Sequence, residues 1–356
     1  MKTSCKIAVS LMAAALSLSF AQTACAFKVG IAMPTQNEER WMKEGFELRD
    51  KLKSAGFDVE LFYGGDDDVP IQQRQLPRMV KEGCNALVVA SIDGNALTQA
   101  LEPAQKAGIP VISYDRLIMN TGAVTYYATF DNYKAGVIQG QAIVKALDLD
   151  NLPEGEHKTI ELFGGSAKDN NSKFFWNGAM EVLKPYFDDG RLIVPSGQTK
   201  FEECAIDLWS NDIAQKRMDE LLGKAGYKPD GQGDKHLDAI YSSADILSSG
   251  IIASLRHAGY TGKTAPVLTG QDATAYAVKS MQEGFQYMTV LKDASVLCDR
   301  VVEMAKEIAS GKDVEINDTK TYDNGAGFVK TYQCEPVSVD RENMKKLLID
   351  TGKVKL

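Results

Sequence analysis

"ALVVASIDGNALTQALEPAQKAGIPVISYDR", residues 86–116, reads as strand, helix, strand. Residues 86–93 form an apolar run, 96–108 have helical spacing that stops at Gly108, and 110–115 are apolar again. A strand, a covering helix and a second strand within about 30 residues make a βαβ unit, with parallel strands buried on both faces. The same beat extends upstream: "KVGIAMP" (28–34) and "DVELFYGG" (58–65) read as strands, and residues 38–56 and 70–83 as helices. Pro77 and Pro103 interrupt two of these helical patterns. Downstream the alternation restarts after "TYYATFDN" (125–132), with strands at "KTIELFGGS" (158–166), "LDAIYSSAD" (237–245), "APVLTGQD" (265–272) and "FQYMTVLKD" (285–293). Two doubly wound α/β domains in sequence account for nearly all of the 356 residues.

Composition sets limits. Hydrophobic residues make up 44% and charged residues 25%, ordinary for a globular chain, and the net charge is −8 without a long basic run. Nucleic acid is therefore not an expected partner. Residues 1–26 read as a leader: Lys2 and Lys6, an apolar run from 7 to 20 too short for a membrane span, then Ala24-Cys25-Ala26. Cleavage after Ala26 and export are expected, leaving 38 basic to 48 acidic residues, a balance of −10. Four cysteines remain, Cys84, Cys204, Cys298 and Cys334. Spacing cannot pair them, and without C-x-x-C they suggest neither zinc nor a redox motif. Buried free thiols are the simplest expectation.

Ligands of open parallel sheets bind outside the carboxyl ends of the strands. At those ends stand Asp115 and Arg116, Asp169 and Asn171, Asp245, Asp272 and Lys292, with Arg40 and Trp41 opening the first helix. Any one Asp or Asn could be a helix cap, but Arg116, Lys292 and Trp41 serve no cap. Carboxylates accept, guanidinium and ammonium groups donate, and an amide does both, a set that suits a polyol. An aromatic from Trp41, Phe174, Phe175 or Trp176 would cover the C–H face of a pyranose.

"ASIDG" (90–94), "YDRL" (114–117), "YYATFDN" (126–132), "ELFGGS" (161–166), "DNN" (169–171), "GQDA" (270–273) and "NDTKTY" (317–322) together resemble the periplasmic sugar-binding proteins of ABC importers, of the ribose and xylose type, from Lys28 to near Gly352. The resemblance implies a Venus flytrap: two Rossmann-like doubly wound parallel-sheet lobes joined by a three-strand hinge. One lobe is then 27–132 plus 293–318 and the other 133–292 plus 319–356, with the third crossing at 317–322. Ligand contacts carried over fall on Arg40, Trp41, Asp115, Arg116, Asp169, Asn171, Asp272 and Lys292, with Phe175 a looser match. Asp245 follows Ala244 where the xylose type has Asn-Asp, so one amide contact is missing. The expected ligand is a neutral monosaccharide, delivered by a periplasmic monomer to an ABC importer permease, without metal or cofactor. A sensor presenting the sugar to a chemoreceptor or histidine kinase is the second reading. A glycosidase fits less well, because flanking cations lower carboxylate pKa values rather than raising the pKa of an acid. A sugar-responsive repressor would need a DNA-binding segment where the leader stands.

Overall fold

The computed structural model describes residues 26–355. The segment read as a leader lies, but for Ala26, outside them. The first lobe begins β1 (Lys28–Met33), α1 (Glu39–Ser54), β2 (Asp58–Tyr63), α2 (Val69–Lys81), β3 (Ala86–Val89), α3 (Thr98–Lys106), β4 (Val111–Tyr114) and β5 (Val124–Phe130). Every residue of β3 and β4 is buried, because helices cover both faces of the sheet. Pro77 and Pro103 lie inside α2 and α3 without ending them.

The chain then enters the second lobe through α4 (Asn132–Leu147), β6 (Lys158–Phe163), α5 (Asn171–Asp188), β7 (Leu192–Ile193), the short α6 (Phe201–Cys204), α7 (Asn211–Ala225), β8 (Ala239–Ser242), α8 (Asp245–His257), β9 (Val267–Leu268), α9 (Ala275–Glu283) and β10 (Met288–Leu291). Its parallel sheet has the order β7-β6-β8-β9. α10 (Ala294–Ala309) returns to the first lobe, where Lys51 reaches Ser295 and Asp299. β11 (Lys330–Cys334) is the outer strand of the first sheet, of order β11-β5-β4-β3-β1-β2, and β12 (Val337–Asp340) pairs antiparallel with β10 in the second lobe.

One boundary needs correction. Residues 319–334 belong to the first lobe, not the second, and the third crossing lies between Cys334 and Val337 rather than at 317–322. Tyr322 is buried beside Leu117 and Tyr127, and Asn324 donates to the carbonyls of Ile118 and Thr121. The physical reason is the open edge of β5, whose unpaired backbone groups β11 satisfies. The four cysteines are buried free thiols, each pushed up in pKa first by burial.

Two glycines set how α5 meets the cleft. A Cβ at Gly136 on α4 would lie 2.0 Å from the Phe175 carbonyl oxygen, and one at Gly178 on α5 would lie 2.1 Å from that of Tyr133. The two helices therefore approach backbone to backbone, which fixes the N-terminal turns of α5. Gly136→Ala is expected to lower stability by about 1–3 kcal/mol, because a methyl group against a carbonyl cannot be relieved by a side-chain rotation. A urea midpoint equal to that of the unaltered protein would show that the helices separate without loss.

Candidate functional site

The site grows from the end of β4. Asp115 has φ +60°, a left-handed conformation that Asp tolerates better than most residues. Donors converging on its carbonyl oxygen hold it there: Tyr127 Oη at 2.7 Å, Thr129 Oγ1 at 3.0 Å and, from the other lobe, Asn171 Nδ2 at 2.7 Å. With its backbone so anchored, Asp115 turns its carboxylate to Arg40, whose Nη2 donates to Oδ2 at 2.5 Å. Arg40 Nε donates to Glu44 Oε1 at 2.6 Å, one helical turn on, and Tyr114 Oη donates to the other Glu44 oxygen at 2.8 Å. Burial pushes the Asp115 carboxyl up, but Arg40, Lys292 and Arg116 outweigh it and hold the group below the usual carboxylate range.

Arg116 donates from Nη1 to the Ser91 carbonyl at 3.2 Å, and its Nε lies 3.3 Å from Asp169 Oδ2 of the second lobe. Burial raises the Asp169 carboxyl above its usual range, with Arg116 working against that. Both guanidinium groups lie over Trp41, at 4.4 Å for Arg40 and 4.9 Å for Arg116. Trp41 itself is 1% exposed. Its indole is thus a platform that places two cations, rather than a bare face.

The second lobe brings Lys292 and Asp272, 3.1 Å apart, to the same place, and Asp272 Oδ1 lies 3.7 Å from Arg40 Nη1. Lys292 is nearly buried over the rings of Phe175 and Phe130, at 5.3 and 6.0 Å. Arg40–Asp272, Arg116–Asp169 and Asn171–Asp115 all bridge the lobes, so the cleft is closed. Of the other aromatic candidates, Phe174 is half-buried and packs across the lobes against Tyr322, and Trp176 lies in the core of the second lobe against Phe201 and Tyr241.

Asp245 does not fit its expected place among the ligand contacts. It is 1% exposed, and its oxygens accept from Thr274 N (2.9 Å), Thr274 Oγ1 (3.2 Å), Gln286 Nε2 (2.8 Å) and Thr289 Oγ1 (2.9 Å). A carboxylate has about four acceptor positions, so none is left for a ligand. The amide of Asn171 is also engaged, with Oδ1 2.8 Å from the Tyr127 hydroxyl.

Strand-end positions do not include Trp209, which ends a short 3-10 turn (Asp207–Trp209) and not a strand. Its φ is +55°, and its ring lies 6.3 Å from Phe175. Its buried Nε1 has no hydrogen-bond partner among the described residues. The neighbouring Gly165 has to lack a side chain, since a Cβ there would sit 2.1 Å from the indole. The Gln271 side-chain oxygen, also buried, is likewise without a partner among the described residues. No cluster of three or more His, Cys, Asp or Glu suited to a metal occurs among the described residues.

Two parallel-sheet lobes, crossed by the chain three times and closed over a polar cleft, define a two-lobed binding protein. This chain belongs to the periplasmic binding protein domain family, whose model matches residues 29–313. It is 46% identical to the multiple sugar-binding periplasmic receptor ChvE of Rhizobium radiobacter, over 91% of this chain and 90% of that one. It is 45% identical to the multiple sugar-binding periplasmic protein SbpA of Azospirillum brasilense, over 91% of this chain and 88% of the relative. Among solved structures it resembles an ABC transporter solute-binding protein of Clostridium phytofermentans with bound β-D-glucose, at TM-score 0.85 and 44% identity, covering 91% of this chain and 97% of that one.

Proposed function

We propose that this protein binds a neutral monosaccharide, in pyranose form, in the interlobe cleft. The observation that carries this reading is the balance of the cleft: Arg40, Arg116 and Lys292 face Asp115, Asp169 and Asp272, and each cation already lies beside a carboxylate. Such a site has no spare positive charge for a sugar acid or phosphate. Its paired groups can instead open to take a hydroxyl as donor on one side and acceptor on the other. Trp209 and Phe175 supply the apolar wall for the C–H face of the ring. The 46% and 45% identical relatives are named for binding multiple sugars, and the 44% identical structure holds glucose. Export to the periplasm, cleavage after Ala26, action as a monomer and delivery to the permease of an ABC importer complete the proposal. Binding rather than turnover is the role of the family.

Titration with glucose, galactose, xylose and arabinose in a calorimeter is expected to give saturable heat at roughly micromolar affinity or better, about −8 kcal/mol. Trp41 and Trp209 are expected to change the intrinsic fluorescence, and Trp209→Phe to remove part of that signal. The proposal fails if none of these sugars binds while an amino acid, a sugar acid or a phosphorylated sugar does.

A further inference from the structure

We propose that Asp245 is a positioning residue for ligand binding: from inside the second lobe it holds the 270–274 loop that carries Asp272, and taking up a proton slackens that hold. This deepens the sugar-binding proposal and rests on it. Asp272 and Ala273 have φ +95° and +49°, two consecutive left-handed residues of which neither is glycine. Such a pair persists only where surrounding structure holds it. Backbone bonds from Asp272 N to the Val290 carbonyl (2.8 Å) and from Val290 N to the Gly270 carbonyl (3.1 Å) tie the loop to β10, and the side-chain anchor of its next turn is one carboxylate. Thr274 N donates to Asp245 Oδ2 directly, and Ala273 N donates at 3.1 Å to Thr289 Oγ1, which donates in turn to Oδ1. The Asp245 backbone N–H closes the loop by donating at 2.9 Å to the Gln271 carbonyl. Gly270 has no room for a side chain because a Cβ would lie 2.2 Å from Asp245 Oδ1. The carboxylate is wedged under the loop, and the loop presents Asp272 to Lys292 and Arg40.

Among the described residues, no cation pairs with Asp245. The charged group facing it is Asp272, a like charge, while α9, β10, β8 and α4 bring the neutral Thr274, Thr289, Ser242 and Gln139, and Gln286 precedes β10. Burial first, and then Asp272, push its carboxyl up to about 7, against the bonds from Thr274, Gln286 and Thr289. A protonated oxygen there meets groups arranged to donate, so at least one bond is lost or inverted. The anion holds the loop, so sugar affinity is full above about pH 7 and falls as pH falls through it. Fold stability moves the opposite way. The folded value lies above the ordinary 3.8, so between about pH 7 and 4 the folded state binds a proton that the unfolded state lacks, and this group's contribution to stability grows on acidification. Weaker binding without weaker folding therefore separates positioning from structural damage.

The test is glucose titration of the full chain from pH 5.5 to 8.5, with Asp245→Asn alongside. For one obligatory deprotonation the unaltered protein should bind about tenfold more weakly at pH 6 than at pH 8. The variant should bind more weakly throughout and lose that slope, whereas any slope due to Asp169 would remain. A flat profile in the unaltered protein, or the same slope in the variant, overturns the proposal. If Asp245→Asn does not fold, Thr289→Val removes one donor and should move the midpoint to higher pH; an unmoved midpoint is equally fatal. Amide exchange at residues 272–274 without sugar separates the two proposals. If exchange there accelerates beyond its intrinsic pH dependence on acidification but no sugar binds, the sugar reading falls and the positioning role stands. If sugar binds with pH-independent affinity, the reverse holds.

Discussion

Arg40→Ala is expected to abolish measurable sugar binding and to destabilise the first lobe by about 3–5 kcal/mol, the range for removing one partner of a buried ion pair. Arg40 is the cation common to three carboxylates. Glu44 and Asp115 have only 4% of their side-chain surface exposed, and Asp272 reaches in from the other lobe. Burial already raises the Glu44 carboxyl, so without Arg40 it is expected to become neutral by taking up a proton. Asp115 remains beside Arg116 and Lys292, but loses its hydrogen bond from Nη2. Urea denaturation monitors the first effect and calorimetry the second. Arg40→Lys restores the charge but not the fork that spans Glu44 and Asp115, so partial recovery of stability with little recovery of affinity is expected. An alanine variant as stable as the unaltered protein would mean that the carboxylates are solvated without Arg40 and that the cluster is not buried in solution.

Arg116→Ala is expected to lower sugar affinity by on the order of 100-fold or more, with the fold intact. Two charge-assisted hydrogen bonds to sugar oxygens are worth about 1.5–3 kcal/mol each, and about 2.7 kcal/mol corresponds to 100-fold. The fold should survive because the guanidinium lies in the cleft and its one carbonyl partner, Ser91, ends a strand rather than building one. Asp169 loses its cation, but its carboxyl already lies above the usual range through burial and can take up a proton. The affinity is read by calorimetry and the fold by circular dichroism. Unchanged affinity removes Arg116 from the site, whereas global unfolding makes the Arg116–Asp169 pair structural.

Besides their partners within the first lobe, both arginines make contacts that exist only when the lobes are together. Arg40–Asp272 and Arg116–Asp169 join side chains carried by different lobes, and Asn171 donates across the gap to the Asp115 carbonyl. A sugar has to enter between these groups, so the closed arrangement must exchange with an open one. The charges that would meet the sugar meet each other in the closed form. This keeps the cleft from burying unpaired charge when it closes.

Local pattern by itself determined the class of this protein. A strand's period and a helix's period are properties of neighbouring residues, so the βαβ beat around residues 86–116 led to two parallel-sheet lobes. The rule that ligands lie at strand carboxyl ends then singled out Asp115, Arg116, Asp169, Asp272 and Lys292, which the fold brings into one cluster although 177 positions separate the first from the last. Tertiary structure decided the rest. Which way a side chain turns at its strand end depends on what lies behind it. Asp245 turns inward to the donors of Thr274, Gln286 and Thr289, from segments about 30 to 45 residues away, and no spacing announces them. Trp41 has its indole under two guanidinium groups, and Trp209 enters from a three-residue 3-10 turn, broken at Leu208, that is too short to show a period. β11 ("KTYQC") has no clear two-residue alternation, and only the open side of β5 determines that it belongs to the first sheet rather than the second. Periodicity reports burial, but the partner of a buried polar group is set by the order in which distant strands and helices come together.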